Sequence, residues 1–411
     1  MAPFQSLVAR SMTRATYILA ILWLIAGISS LASAEPGVTP NEIVFGQVAA
    51  LAGPAGFLGR EMRTGIVAAF EEANRSGGVK GRKLRLISED DGYEPTKSIE
   101  ATKRLLSDGK IFALIGSVGT PTSAATQPIA AEAGVPFLAP FTGAEFLREP
   151  SRFNVVNIRA SYFQETETVV ERLTKDRGIS RIAILYQDDA FGRAGLLGVQ
   201  KALDRRGMKL VAEASFERNT VAVKSAFLDI QRATPEAIIL IGPYKPCAAF
   251  IKLAHVLRMN AVFASISFVG ANSLADELGP EGRDVIVTQV VPCPRDLSLL
   301  AVADYRRALS AADPSAKPGY VSLEGYLAGR LTIAALQKER GDPNRERFLQ
   351  TIFSNSFDFG GVTLSFGPSQ NQGSAEVYIT VLQVDGTLKP INHLLRKSSL
   401  TNRRRNSRQK R

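Results

Sequence analysis

Residues 43–78 read IVFGQVAALAGPAGFLGREMRTGIVAAFEEANRSGG, and their internal order decides the fold class. The run Ile43-Val44-Phe45-Gly46-Gln47-Val48 has the length and the β-branched content of a buried strand. A glycine-rich turn follows. From about Arg60 to Arg75, Ile66, Val67, Phe70 and Ala73 recur at three- and four-residue spacing, which sets them on one helical face. Gly77-Gly78 stops that helix. Strand, turn and amphipathic helix in this order make half of a strand–helix–strand unit, the building block of a parallel sheet.

Outward from this stretch the rhythm repeats. Lys83 to Glu89 alternates Leu84, Leu86 and Ser88 with charged residues as an outer strand would, and a helix from Thr96 to Ser107 follows Pro95. Further strands are predicted at Phe112–Ile115, Val135–Leu138, Val155–Ile158, Ile182–Tyr186, Leu210–Phe216, Ala237–Ile241, Val262–Ile266 and Val285–Val291. Helices fit between them at Ser123–Ala133, Phe163–Asp176, Gly192–Arg206, Val223–Arg232, Cys247–Arg258 and Asn272–Leu278. After Pro294 the rhythm changes to two consecutive long helices, Ser298–Ala311 and Leu323–Glu339, and then to β-rich sequence at Val362–Phe366 and Val377–Val384. Val384-Asp385-Gly386-Thr387 reads as a hairpin turn. No repeat of solenoid length is visible. The fold class is α/β with parallel central sheets.

The chain opens with Arg10 and Arg14, an apolar run from Ala15 to Ile28, and small residues ending Ala32-Ser33-Ala34. This is the order of a secretory signal peptide, with cleavage expected after Ala34; an uncleaved anchor is the rival reading. The apolar run falls short of the roughly 20 residues that span a bilayer as a helix. Residues 35–411 then suffice for two domains. The formal charge of +11 is uneven: eight basic residues and no acid lie in the tail from Arg396 to Arg411, and two more lie in the leader, which leaves the body at +1. A nearly neutral body has no general pull on phosphate backbones, so no nucleic-acid partner is expected. The Ser/Asn/Arg-rich tail reads as disordered. Contact of that tail with anionic lipid is the alternative, and vesicle binding after deletion of residues 396–411 separates the two.

Chemistry that depends on familiar motifs is missing. The turn Gly53-Pro54-Ala55-Gly56-Phe57-Leu58-Gly59 spaces its glycines at threes rather than as G-x-G-x-x-G, and neither a phosphate-binding G-x-x-x-x-G-K-[ST] loop nor a G-x-S-x-G elbow occurs. His255 and His393 are the only histidines, and the separation of Cys247 from Cys293 fits no metal or redox motif. No metal and no cofactor are expected. Whether the two cysteines pair is left open by the sequence. Glu89-Asp90-Asp91 and Asp188-Asp189 follow strands directly, where helix capping explains them better than acid–base work. One stretch remains: Leu114-Ile115-Gly116-Ser117-Val118-Gly119-Thr120-Pro121-Thr122-Ser123 runs from a strand through glycines into hydroxyls at a helix start. Free N–H groups and the helix dipole favour a carboxylate there, while plain capping by Thr122 or Ser123 is the competing reading.

Four stretches carry a resemblance: GVTPNEIVFGQVAALAGPAGFLGREMRTGIVAAFEEANRSGGVKGRKLRL, ALIGSVGTPTSAATQPIAAEAGVPFLAPFTGAEFL, RIAILYQDDAFGRAGLLGVQKAL and YVSLEGYLAGRLTIAAL. In this order they resemble the type 1 periplasmic binding proteins of the leucine/isoleucine/valine-binding class, over roughly residues 35–392. The resemblance implies two Rossmann-like lobes joined by three crossing segments, near Asn157–Arg159, Gln289–Val291 and Phe366–Ser369. The first lobe would combine 35–157 with 290–367 and the second 158–289 with 368–395, a ligand being trapped as they close.

What the resemblance implies for the site is specific. Thr120 falls on the hydroxyl that, with backbone N–H groups, holds the ligand's carboxylate, and Pro140-Phe141-Thr142-Gly143 forms the neighbouring polar loop. Phe141 and Thr142 stand where two small residues are common, and Gly143 where a threonine or serine is usual. Phe57 or Leu58 takes the place of an aromatic lid. In the second lobe Phe191 replaces a tyrosine, Tyr244 follows a strand that delivers an aromatic contact, and Tyr320 matches a wall aromatic. Ser267 or Phe268 stands where the family's carboxylate for an α-ammonium group is found. Because an unpaired buried ammonium is costly, an aromatic or aliphatic carboxylate is preferred to a standard α-amino acid. The implied protein is no enzyme but an extracytoplasmic, periplasmic binding protein, expected to be monomeric, that serves an inner-membrane ABC permease. A ligand-sensing receptor of the same fold is the alternative.

Overall fold

Strand β1 (Glu42–Ala49) is buried along all but its first residue, the condition of a parallel strand covered by helices on both faces. The computed structural model describes residues 35–394, so the expected leader, its cleavage point and the basic tail lie outside the described residues. After β1 come α1 (Gly56–Arg75), β2 (Lys83–Asp90), α2 (Pro95–Leu106), β3 (Ala113–Ile115), α3 (Thr120–Glu132), β4 (Phe137–Leu138) and β5 (Val155–Val156). Their strands make an all-parallel sheet ordered β2-β1-β3-β4-β5.

A second sheet follows from α4 (Tyr162–Glu171), β6 (Ile182–Gln187), α5 (Ala190–Asp204), β7 (Ala212–Phe216), α6 (Lys224–Arg232), β8 (Ala237–Ile241), α7 (Tyr244–Val256), β9 (Val262–Ser265), α8 (Ala271–Leu278) and β10 (Ile286–Gln289). Three helices come next, α9 (Leu300–Ala312), α10 (Tyr320–Lys338) and α11 (Arg345–Phe353). The chain closes with the pair β11 (Ser356–Asp358) and β12 (Thr363–Ser365), then β13 (Tyr378–Leu382) and β14 (Leu388–Ile391). The second sheet is ordered β14-β13-β10-β9-β8-β6-β7, and its last two strands join antiparallel. Within it, β7-β6-β8-β9-β10 repeats the strand order of the first sheet, so both are Rossmann-like halves. The chain passes between the two sheets after β5, after β10 and before β13.

Helices α9 and α10 cover α1 rather than the second sheet. A Cβ on Gly65 would lie 1.9 Å from the Ser322 carbonyl oxygen, and one on Gly325 would lie 2.3 Å from that of Met62, so bare glycines let the backbones of α1 and α10 touch. Where Val155 and Val156 leave the first sheet, Asn157 donates its backbone N–H to the Asn371 carbonyl at 2.7 Å and accepts one from Gly373 at 2.7 Å. Two of the chain's passages between sheets therefore run side by side.

The elements differ from the sequence reading mostly at their ends. Helix α1 starts about a turn earlier than the periodicity indicates, because the apolar stripe begins at Leu58 and the glycine turn before it is already helical. The segment expected as one helix from Phe163 to Asp176 is α-helical to Glu171 and then widens into a π turn over Arg172–Asp176. The strands at Val135, Val155 and Leu210 are shorter than expected. Helix α11 and strand β11 are additional; nine and three residues carry too few periods to stand out in sequence. Cys247 is buried and Cys293 half-buried, and both are free thiols. Burial pushes the Cys247 thiol well up. Among the described residues no helix is long and apolar enough to cross a membrane.

Candidate functional site

Ligands in open parallel sheets bind beyond the carboxyl ends of the strands, at the point where strand order reverses. In both sheets here those ends meet each other. Past β3, Gly116 (φ 67°) and Gly119 (φ 107°) turn the chain into α3, whose first residue is Thr120. A side chain on Gly119 would strike the Tyr93 ring, at 2.2 Å from Cε2. Thr122 does not cap this helix; its hydroxyl donates back to the Val118 carbonyl at 2.6 Å. Past β4, Phe141 donates to the Ser117 carbonyl at 2.7 Å, which ties the two turns together. The Thr120 and Thr142 hydroxyls then meet at 2.7 Å, both buried.

Gly143 is explained by its neighbour. A Cβ there would lie 2.5 Å from Cδ1 and 2.7 Å from the backbone nitrogen of Tyr162. Its own carbonyl accepts the Tyr162 N–H at 2.7 Å. Tyr162, fully buried at the start of α4, sets its hydroxyl beside those of Thr120 and Thr142, without a hydrogen-bond partner of good geometry. Burial raises its pKa above the ordinary phenol value, against the pull of the nearby Arg159 guanidinium and the two threonine hydroxyls. Three hydroxyls thus converge, and the third comes from a residue that the sequence reading passed over.

Across from them Asp189 caps α5 by accepting the N–H groups of Phe191 at 2.9 Å and Gly192 at 3.2 Å, the capping role expected for that carboxylate. Asp90 and Asp91 likewise hold turn N–H groups. The cap orients Phe191. Its ring lies 5.4 Å from that of Tyr162 and 4.3 Å from that of Phe268. Phe268 also stands 5.4 Å from Phe141 and 6.2 Å from Tyr93, so one ring from the turn after β9 touches rings carried on the first sheet's loops. Tyr93 further accepts a hydrogen bond from Gln187 at 3.4 Å. Nearby, Glu94 takes Arg218 at 2.7 Å and Asn219 at 2.6 Å, and Asn219 reaches the Gly92 carbonyl.

The centre is charged. Arg159 is fully buried with its guanidinium 4.7 Å over the Phe141 ring. Its Nη2 meets Glu165 Oε1 at 3.4 Å and contacts the Ser267 hydroxyl; its Nη1 lies 3.4 Å from Glu324 Oε1. Glu165 is well held, accepting the Ser267 N–H at 2.8 Å, the Ser267 hydroxyl at 3.0 Å and the Thr288 hydroxyl at 2.5 Å. Ser267 is accordingly engaged in supporting an ion pair. Carboxylates do reach the place where sequence placed only Ser267 or Phe268, but they come from other elements and face an arginine.

The remaining expected residues form a separate group or stand apart. Leu58 is buried against Gly270, where a Cβ would come within 2.5 Å of its Cδ2, and Phe57 meets Tyr244 edge-on at 6.3 Å. Tyr320 faces the Cys293 thiol and donates its backbone N–H to Asn272 at 3.4 Å. Arg159, Tyr162, Glu165, Glu324 and Tyr93 were missed in sequence. A signal existed for two of them: Arg159 is a charge set directly between the apolar residues Ile158 and Ala160 at the end of a predicted strand, and Glu324 lies in an otherwise apolar helix face. Among the described residues no cluster of His, Cys, Asp or Glu is arranged to hold a metal.

The repeated strand order, the three passages between sheets and a buried polar centre between them define a two-lobed binding protein. The chain belongs to the family described as Periplasmic binding protein, which matches residues 42–387. It is 25% identical over 330 residues to the Leu/Ile/Val-binding protein homolog 7 of Brucella abortus, an alignment spanning 76% of this chain and 82% of that one. A possible leucine/isoleucine/valine-binding protein from Rhodopirellula baltica, of known crystal structure, superposes with a TM-score of 0.82 at 34% identity, covering 88% of this chain and 98% of its own. A substrate-binding periplasmic protein from Ralstonia solanacearum superposes at 0.80 with 26% identity, over 85% and 100% of the two chains.

Proposed function

We propose that this chain is the extracytoplasmic substrate-binding protein of an ABC importer. It captures an amino acid or a related small carboxylate, aromatic acids included, between its lobes. The observation that carries the ligand class is the convergence of the Thr120, Thr142 and Tyr162 hydroxyls near the Arg159 guanidinium, in a buried setting walled by Phe141, Phe191 and Phe268. Hydroxyl and guanidinium donors in a low-dielectric space favour an anion, and the rings favour an apolar remainder. Phe57, Leu58 and Tyr244 form the rim, and Gly143 makes room for Tyr162.

The lobes, 35–157 with 290–367 and 158–289 with 368–395, close about the hinge strands near Asn157, Gln289 and Phe366. The closed monomer is the form presented to an inner-membrane permease, and no step of bond-making is involved. A signal peptide cleaved after Ala34 takes the chain to the periplasm.

A thermal-shift screen of the exported protein against amino acids, aromatic acids and short aliphatic acids tests this. A ligand at 100 times its dissociation constant stabilises by about 2.7 kcal/mol. Stabilisation by at least one acid is expected. Silence across the whole panel, or turnover of a bound acid, overturns the reading.

A further inference from the structure

The charges buried in the proposed cleft leave one position open. Arg159 has Nε and Nη1 without hydrogen-bond partners, although the side chain is wholly buried. Glu324 Oε1, 3.4 Å from that Nη1, is likewise buried and without a hydrogen bond. Buried polar groups are normally hydrogen-bonded, so an ion pair in which neither Arg159 Nη1 nor Glu324 Oε1 makes a hydrogen bond leaves donors and an acceptor that a ligand can use.

The surrounding charges say what fits. A second, half-buried guanidinium, Arg148, donates to the Gln372 side chain at 2.7 Å and to the carbonyls of Ala144 and Arg159, and is drawn to the Glu145 carboxylate. Glu165 is the one carboxylate with a full set of donors. Arg148 is balanced by Glu145 and Arg159 by Glu165, so Glu324 is the surplus anion facing Arg159. A bound carboxylate can take that place, but two surplus anions in this space would repel each other. Burial, and the neighbouring Glu165, push the Glu324 carboxyl up to about 7 despite Arg159 and Arg148, so it gives up its charge readily.

Taking the cleft as a carboxylate site, we propose that it admits the ligand's carboxylate together with one proton: the ligand takes over the balancing of Arg159, and Glu324 becomes a neutral acid donating to it. The proton comes from solvent and rests on Glu324 Oε1, which then has a use for its free position. Glu324 thereby selects for ligand charge. A neutral amide would need Glu324 ionised, and an anion needs it protonated.

Uptake of one proton weakens binding tenfold for each pH unit above the free-state value of about 7 and leaves it flat below. The test is calorimetric titration of the full-length exported protein with benzoate, or with the tightest acid of the screen if benzoate is not among its hits. It is run from pH 6 to 9 in two buffers of different ionisation enthalpy. Expected are close to one proton taken up per ligand at pH 8, almost none at pH 6, and a dissociation constant that rises about fivefold from pH 7 to pH 8 and about tenfold from pH 8 to pH 9. Glu324→Gln is expected to bind with its low-pH affinity throughout and to take up no proton. Binding of the acid without proton uptake, an unchanged pH profile in E324Q, or benzamide binding more tightly than benzoate below pH 7 overturns the coupling alone. Failure of every acid to bind overturns the carboxylate reading beneath it.

Discussion

Replacing Glu324 by glutamine is expected to stabilise the ligand-free protein, although it removes half of a buried ion pair. Glu324 has an ordinary value of 4.5 and is raised to about 7 in the folded chain. Between these values the folded state holds a proton that the unfolded chain has released, so stability falls as pH rises through this window and the whole cost is present above 7. At about 1.4 kcal/mol per tenfold step in proton affinity, the gap from 4.5 to about 7 comes to about 3 kcal/mol. Glutamine has the shape of the neutral acid and carries no such cost. The gain from E324Q should therefore be about 3 kcal/mol at pH 8 and under about 1 kcal/mol at pH 5. Urea unfolding of wild type and variant at pH 5, 6, 7 and 8 measures it, and the quantity to follow is the difference between the two proteins' pH profiles. Parallel profiles, or a variant that is less stable at pH 8, refute the assignment of the strain to Glu324.

Arg159→Met removes the cation between Glu165 and Glu324 and is expected to cost about 3–5 kcal/mol at pH 8; a loss below about 1 kcal/mol in the same assay would mean that the guanidinium is not the partner of both acids. Gly143→Ala forces a methyl against Tyr162 at 2.5 Å and should destabilise by about 1–3 kcal/mol, with weaker binding of whichever acid the screen finds. Tyr162→Phe should separate stability from binding. Its hydroxyl has no good partner in the free protein, so the melting temperature should hardly move. A lost hydrogen bond to a charged group, at about 1.5–3 kcal/mol, should weaken acid binding by roughly tenfold or more. Equal binding by Y162F would remove Tyr162 from the site.

The legible part of this fold is what a local period can encode. Ile43–Val48 and Ala237–Ile241 announce themselves because strands buried on both faces need continuous apolar runs, and α1 because one face of it is apolar. Asp189 was legible as a cap because its partners are two and three residues away. The charged centre was not. Arg159 meets Ser267, Glu165 and Glu324, contacts spanning up to 165 positions that no window of sequence brings together. Alignment to the family's pattern fixed attention on positions where its polar groups usually stand, such as Ser267 and Gly143. It could not follow those groups to other elements.

Gly143 and Tyr162 make that displacement concrete. Read alone, a glycine in place of a hydroxyl residue counts as a loss of ligand contact. In space the missing side chain is the reason that the Tyr162 ring can lie against the loop, with its hydroxyl beside Thr120 and Thr142. The donor count is conserved while its origin moves from the first sheet's loop to a helix on the other side of the chain's first passage between sheets. If the lobes part as proposed, a hydroxyl carried on the loop stays with the threonines, whereas one carried on α4 leaves or returns with the second sheet. If the cleft works as proposed, the trio is assembled only on closure. Tyr162→Phe, which keeps the ring and asks for no room at Gly143, should then speed release of the bound acid while leaving its association rate close to that of wild type. An association rate that falls as far as the affinity would show that the hydroxyl is already in place before the lobes close.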